Sequence, residues 1–257
     1  MTGVAAVLPM AQDLVWLHAL VFLRVAPLIA MFPGFGEATV PMRLKLGIAL
    51  GLSAVVTPVV APEMTAAFPR EVLLLRLILT ETGIGLMLGL GIRLFVLALQ
   101  TVGAIAAQAT SLSQILGTAG VTPMPAIGHL LTTGALALSM ILGMHLRLVE
   151  LAVESYRFLP PGMPPVPAVV AEWGIAQVAH AFGFAFTLAA PFVIASTLYN
   201  LTLGIINRAM PQLMVIFVGA PAITGAGLAL LMLLAPAVLG VWADALDAFL
   251  ADPMGGR

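Results

Sequence analysis

No cysteine occurs anywhere in the chain, so disulfides, thiol chemistry and cysteine-held metals are excluded. Charge is nearly as scarce. Only 8% of the 257 residues are Asp, Glu, Lys or Arg, against about a quarter in an ordinary soluble domain, and ten basic residues nearly cancel eleven acidic ones. With a net charge of -1 and no basic cluster, no electrostatic footprint for nucleic acid and no polybasic lipid patch exists. The parts for catalysis are missing too: there is no Gly-x-Ser-x-Gly, no His-Glu-x-x-His and no set of carboxylates at helix-face spacing. Neither an enzyme nor a cofactor-binding protein is expected. His129 and His145 lie in an apolar run, and no acidic or histidine side chain sits three or four residues beyond His129 to complete a metal face.

What remains is apolar. Hydrophobic residues make up 61% of the chain, and mean hydropathy is +1.14, which defines an all-α integral membrane protein. At about 20 residues per crossing the chain has room for about six hydrophobic segments and no sizeable soluble domain. Met1 to Met10 lacks a basic stretch and a small-residue cleavage site ahead of Asp13, so it reads as mature chain.

The segments follow one another as a single membrane domain. Residues 14–62 form a first hairpin: Leu14 to Phe32, a break at Pro33-Gly34-Phe35-Gly36 and Pro41, then Arg43, Lys45 and a run from Leu44 to Val60 closed by Pro58 and Pro62. Arg24 lies within the first run, where a charge costs several kcal/mol unless it is paired or hydrated. It therefore faces protein or water. Residues 72–122 begin with a helix to about Leu99 that carries Arg76, Glu81 and Arg93. Its Gly85 and Gly89 make a Gly-xxx-Gly face for close approach of another helix, and Glu81 needs a partner from elsewhere in the fold. From Gln100 to Val121 come Gln108, Thr110, Ser111, Ser113, Gln114, Gly117 and Thr118 without one charge. That stretch fits the lining of a narrow passage, a packed re-entrant turn, or a partly polar helix buried in a bundle.

Residues 126–203 hold an apolar run to Leu146, a charged helical end with Arg147, Glu150, Glu154 and Arg157, and a stiff, solvated linker from Pro160 to Pro167. A helix kinked near Pro191 follows. Residues 204–242 open with a break around Asn207, Arg208, Pro211 and Gln212, and their last hydrophobic segment is interrupted at Gly219-Ala220-Pro221. Such a break is tolerated only at a membrane surface, against a partner or beside water. The plain reading is an interfacial loop with Arg208 reaching to headgroups. Basic residues fall about equally on both sides of a simple alternation, so orientation stays open.

Several stretches together resemble the FliR/SctT family of type III secretion export-gate subunits. They are Arg24-Val-Ala-Pro27 with Phe32-Pro-Gly-Phe-Gly36 and Val40-Pro-Met-Arg-Leu-Lys45, then Asn207-Arg-Ala-Met-Pro-Gln212 followed by Phe217-Val-Gly-Ala-Pro221. The glycine-bearing helix from Glu81 to Gln108 is similar as well. The resemblance implies tilted helical hairpins in a helical hetero-oligomeric gate, built with FliP and FliQ in the bacterial inner membrane at the flagellar base. FlhB and FlhA would lie nearby, and unfolded flagellar proteins would pass through. It implies an assembly role for Arg24, Pro27, Pro33, Gly34, Pro41, Arg43, Lys45, Glu81, Gly85, Gly89, Asn207, Arg208, Pro211, Gln212 and Pro221. It also implies a channel plug at about Gln108 to Gly117, although Ala109-Thr-Ser111 stands where the family favours glycines and Thr122-Pro123 where it favours Asp-Pro.

Two other readings stand beside it. An injectisome gate subunit would share the same motifs. A self-contained small-molecule carrier would use Arg24, Glu81, Arg93 and Arg208 on discontinuous helices, but the two halves show no internal repeat.

Overall fold

The computed structural model describes residues 2–67, 74–110, 126–210 and 215–255. Every regular element among them is a helix: α1 (Thr2–Met31), α2 (Met42–Ala67), α3 (Leu74–Thr110), α4 (Ala126–Ile141), α5 (Met144–Phe158), α6 (Pro167–Ala209) and α7 (Val215–Ala251). In lipid, a backbone that keeps its hydrogen bonds within one helix avoids unsatisfied polar groups worth several kcal/mol each. Five helices are long and apolar enough to cross a membrane, or six if α4 and α5 count as one broken span. The protein is an all-α membrane protein.

Prolines break these helices less than the sequence leads one to expect. α2 runs through Pro58 and Pro62 to Ala67, and α6 runs 43 residues through Pro191. α7 likewise continues through Pro221 to Ala251. An internal proline forfeits one hydrogen bond, whereas unwinding in an apolar setting forfeits several, so the helix persists. The polar Gln100 to Thr110 stretch continues α3, and Asn207 and Arg208 belong to the last turns of α6, which ends at Ala209. One break was not legible. The run from Ala126 to Leu146 divides at Leu142-Gly143, because Gly143 adopts the left-handed region at φ 69°, where a helix cannot continue.

The chain packs as two compact units. One comprises residues 1–93, 139–177 and 246–257. Its core joins Leu20, Val21, Leu28 and Ile29 of α1 to Val56 and Val60 of α2, Ile84, Leu88 and Ile92 of α3, Leu148 and Leu151 of α5, and Leu246 and Leu250. His18 Nδ1 lies 3.3 Å from Thr57 Oγ1 between α1 and α2. The other comprises residues 94–138 and 178–245. There Val96, Leu99 and Val102 of α3 share a core with Leu131 and Ala135 of α4, Leu188, Ala189 and Phe192 of α6, and Trp242 of α7. Trp242 is fully buried, and its Nε1 donates to the Phe95 carbonyl at 2.9 Å. Gly103 of α3 and Gly128 of α4 face each other so closely that a Cβ on Gly103 would strike the Gly128 backbone.

Candidate functional site

Arg24 organises the first unit. Two turns below the C-terminal end of α1, its guanidinium is fully buried, which an apolar interior tolerates only if the charge is paired; among the described residues its Nη2 alone finds no hydrogen-bond partner. Nε donates to Glu81 Oε2 of α3 at 2.8 Å, and Glu81 is also fully buried. Nη1 donates to Ser155 Oγ at 3.2 Å and to the Leu159 carbonyl at 3.0 Å, so the cation sits at the C-terminal end of α5, where the helix dipole is negative. The Tyr156 ring stacks beneath it, its centroid 3.8 Å from Cζ. The second carboxylate oxygen of Glu81 accepts from Gly162 N–H at 3.0 Å.

The ion pair thus ties α1, α3, the end of α5 and the turn beyond it to one point. Arg24 and Glu81 each needed a partner on sequence grounds, and each is the other's. The stretch from Pro160 to Pro167 differs from the solvated linker expected of it: Pro161 and Gly162 are buried, and Gly162 turns at φ 69° to aim its N–H at the carboxylate. A Pro-rich composition signals stiffness, but a contact with a residue 81 positions earlier leaves no local trace.

Close helix packing makes the pair possible. At Gly85 a Cβ would collide with the Arg24 carbonyl, and at Gly89 it would come within 3.0 Å of the Pro27 carbonyl and 3.1 Å of Met31. These are the points where α1 lies against α3 backbone to backbone.

A second cluster fixes the turn between α1 and α2. Arg93 Nη1 donates to Glu37 Oε1 at 2.8 Å, and Lys45 Nζ donates to the Gly36 carbonyl at 3.0 Å. Phe32 and Phe35 pack with their rings tilted by 36° and centroids 5.7 Å apart, Pro33 is buried, and Gly34 lies against the Met140 side chain. Pro41 is exposed and immediately precedes α2, its carbonyl accepting from Leu44 N–H, while Arg43 is exposed.

Other predicted positions do not gather into either cluster. Gln108 is exposed near the end of α3, and Thr110 is its last residue. Ser111, Ser113, Gln114, Gly117, Pro211 and Gln212 lie outside the described residues. Pro221 falls within α7. Asn207 and Arg208 are exposed, and Arg208 occupies a helix C-terminus, where a cation is favoured. Sequence reasoning missed Glu37, Ser155, Tyr156 and Gly162, none of which stands out by type or spacing. Among the described residues no group of three or more His, Asp or Glu could hold a metal ion.

Nothing in these clusters pairs a nucleophile with a base, and Arg24, Glu81, Arg93, Glu37 and Lys45 are each spent on another protein group. The arrangement holds helices in register. A family model described as "Bacterial export proteins, family 1" matches residues 15–249. The flagellar biosynthetic protein FliR of Caulobacter vibrioides is 31% identical over 232 residues, 90% of this chain and 92% of that protein. The FliR proteins of Escherichia coli and Bacillus subtilis are 29% and 27% identical, covering 88% and 81% of this chain and 88% and 82% of their own lengths.

Proposed function

Because the chain belongs to the family of bacterial export proteins, family 1, we propose that it is a subunit of the flagellar type III protein export gate. In this reading it joins FliP and FliQ in a channel of the inner membrane at the flagellar basal body, and unfolded flagellar subunits pass through it. One observation carries the reading: the similarity to FliR proteins covers 90% of this chain and 92% of the Caulobacter vibrioides protein.

The surface supports an assembled state. α6 is about 65 Å long at 1.5 Å per residue, roughly twice the hydrocarbon thickness of a bilayer. Even so, Phe182, Phe186, Ile194, Leu198, Leu201 and Ile205 are exposed along it. So long an apolar stripe needs protein neighbours as well as lipid. The uncharged stretch from Gln108 to Gly117 serves as the plug of the closed channel.

Co-expression with the FliP and FliQ of the same bacterium, followed by native mass spectrometry in mild detergent, tests the assembly. A particle containing all three chains is expected. A monomer or homo-oligomer that leaves both partners behind overturns the reading and favours a self-contained carrier.

A further inference from the structure

Among the described residues, the buried side-chain polar atoms that find no hydrogen-bond partner are Arg24 Nη2, Tyr156 Oη, Glu63 Oε2, His145 Nδ1 and Tyr199 Oη. The last three belong to half-buried residues, which solvent can reach in part. Arg24 and Tyr156 are different. They are 0% and 2% exposed, and they touch, the guanidinium carbon lying 3.8 Å from the centre of the phenol ring. Two unmet polar atoms thus share one sealed place in the first unit.

Neither atom can relieve itself. The guanidinium is a rigid, planar fork. Its Nε is held on Glu81 Oε2, and its Nη1 on Ser155 Oγ and the Leu159 carbonyl, so the direction of the Nη2 donors is already set. The Tyr156 hydroxyl oxygen lies on the axis of its ring, and turning the ring about that axis leaves the oxygen in place. With Cζ over the ring at 3.8 Å, ordinary covalent geometry puts Nη2 and Oη about 4–5.5 Å apart. That is too far for one hydrogen bond of about 3 Å and suits two in succession. A buried donor left bare costs more than a typical bond gains, and buried waters in folded proteins settle where such groups converge.

We propose that Arg24 Nη2 and Tyr156 Oη hold a buried water between them. The water accepts from Nη2 and makes its second hydrogen bond with the hydroxyl. A neutral occupant is required, because Glu81 already cancels the charge of Arg24 and a further ion would be left uncompensated in the same interior. A small one is required too, because neither side chain opens to the surface. Tyr156 is then a positioning residue for the cation in two ways: its ring lies beneath the guanidinium, and its hydroxyl completes through the water the shell that Glu81, Ser155 and Leu159 leave open. The inference rests on the first unit alone and does not depend on the gate reading.

The sign of one substitution tests it. Tyr156→Phe keeps the ring under the guanidinium and deletes only the hydroxyl. Removing a bare buried hydroxyl raises the thermal unfolding midpoint of the full chain in detergent, whereas removing one that holds a water lowers it. A fall of about 2–4 °C is expected. The second measurement looks for the water itself, in an experimental density map of the full chain fine enough to show ordered solvent. A peak within hydrogen-bond distance of both Nη2 and Oη is expected. A midpoint that is unchanged or raised in Y156F overturns the proposal. So does a map with no such peak, or with a peak that touches only one of the two atoms, whatever the midpoint does.

Discussion

At the scale of single residues, the Arg24–Glu81 pair carries the sharpest expectations. Removing one member strands the other as an uncompensated buried charge, a change that costs about 3–5 kcal/mol in comparable sites. Glu81→Leu is therefore expected to lower the thermal unfolding midpoint in detergent sharply. The double variant R24M/E81L, which removes both charges, is expected to be more stable than E81L alone. If the double is no better, the loss at Glu81 comes from the Gly162 hydrogen bond and not from the stranded guanidinium. Trp242→Phe keeps most of the buried ring but removes the hydrogen bond to the Phe95 carbonyl, a net loss of about 0.5–1.5 kcal/mol. Urea unfolding followed by circular dichroism measures it. The sequence exposes both members of the charge pair as anomalies, since charge in an apolar run demands explanation. Their pairing is invisible there, because 57 residues separate them and no periodic rule reaches so far.

For whole elements, glycine decides where helices meet. A Cβ at Gly85 strikes the Arg24 carbonyl, whereas one at Gly83, two residues away on the same helix, meets nothing within 4 Å. Gly85→Ala is accordingly expected to destabilise by about 1–3 kcal/mol through forced separation of α1 and α3. Gly83→Ala is expected to stabilise by a few tenths of a kcal/mol or more through helix propensity alone. Thermal melts of the two variants side by side check the contrast, and similar losses in both would refute the close-approach argument. The Gly85 and Gly89 face is legible as a spacing. The equally tight crossing of Gly103 and Gly128 is not, because neither has another glycine three or four residues away on its own helix. Proline misleads in the opposite direction. Pro58 and Pro62 read as terminators by rules drawn from water, where an unwound backbone is solvated, and they fail where it is not. Gly143, an unremarkable residue in an apolar run, ends a helix that the prolines elsewhere do not.

For the molecule as a whole, α6 carries exposed apolar side chains along much of its 43 residues, and the missing cysteines make that face open to measurement. Single substitutions Phe182→Cys and Phe186→Cys introduce the only thiol in each variant. Both positions are exposed, so a maleimide is expected to label them in the chain expressed alone and to label them far less after assembly with FliP and FliQ. Unchanged labelling in the assembled particle would place lipid or water, not protein, against α6. The buried ion pair also bears on how such a chain comes into being. Arg24 leaves the ribosome 57 residues before Glu81 and 135 before Leu159. At about 5–20 residues per second, the guanidinium waits on the order of ten seconds for its last acceptor. The first helix is thus synthesised with a debt of hydration that its own neighbours cannot yet discharge, and it must linger at the insertion machinery or the water interface until the middle of the chain arrives.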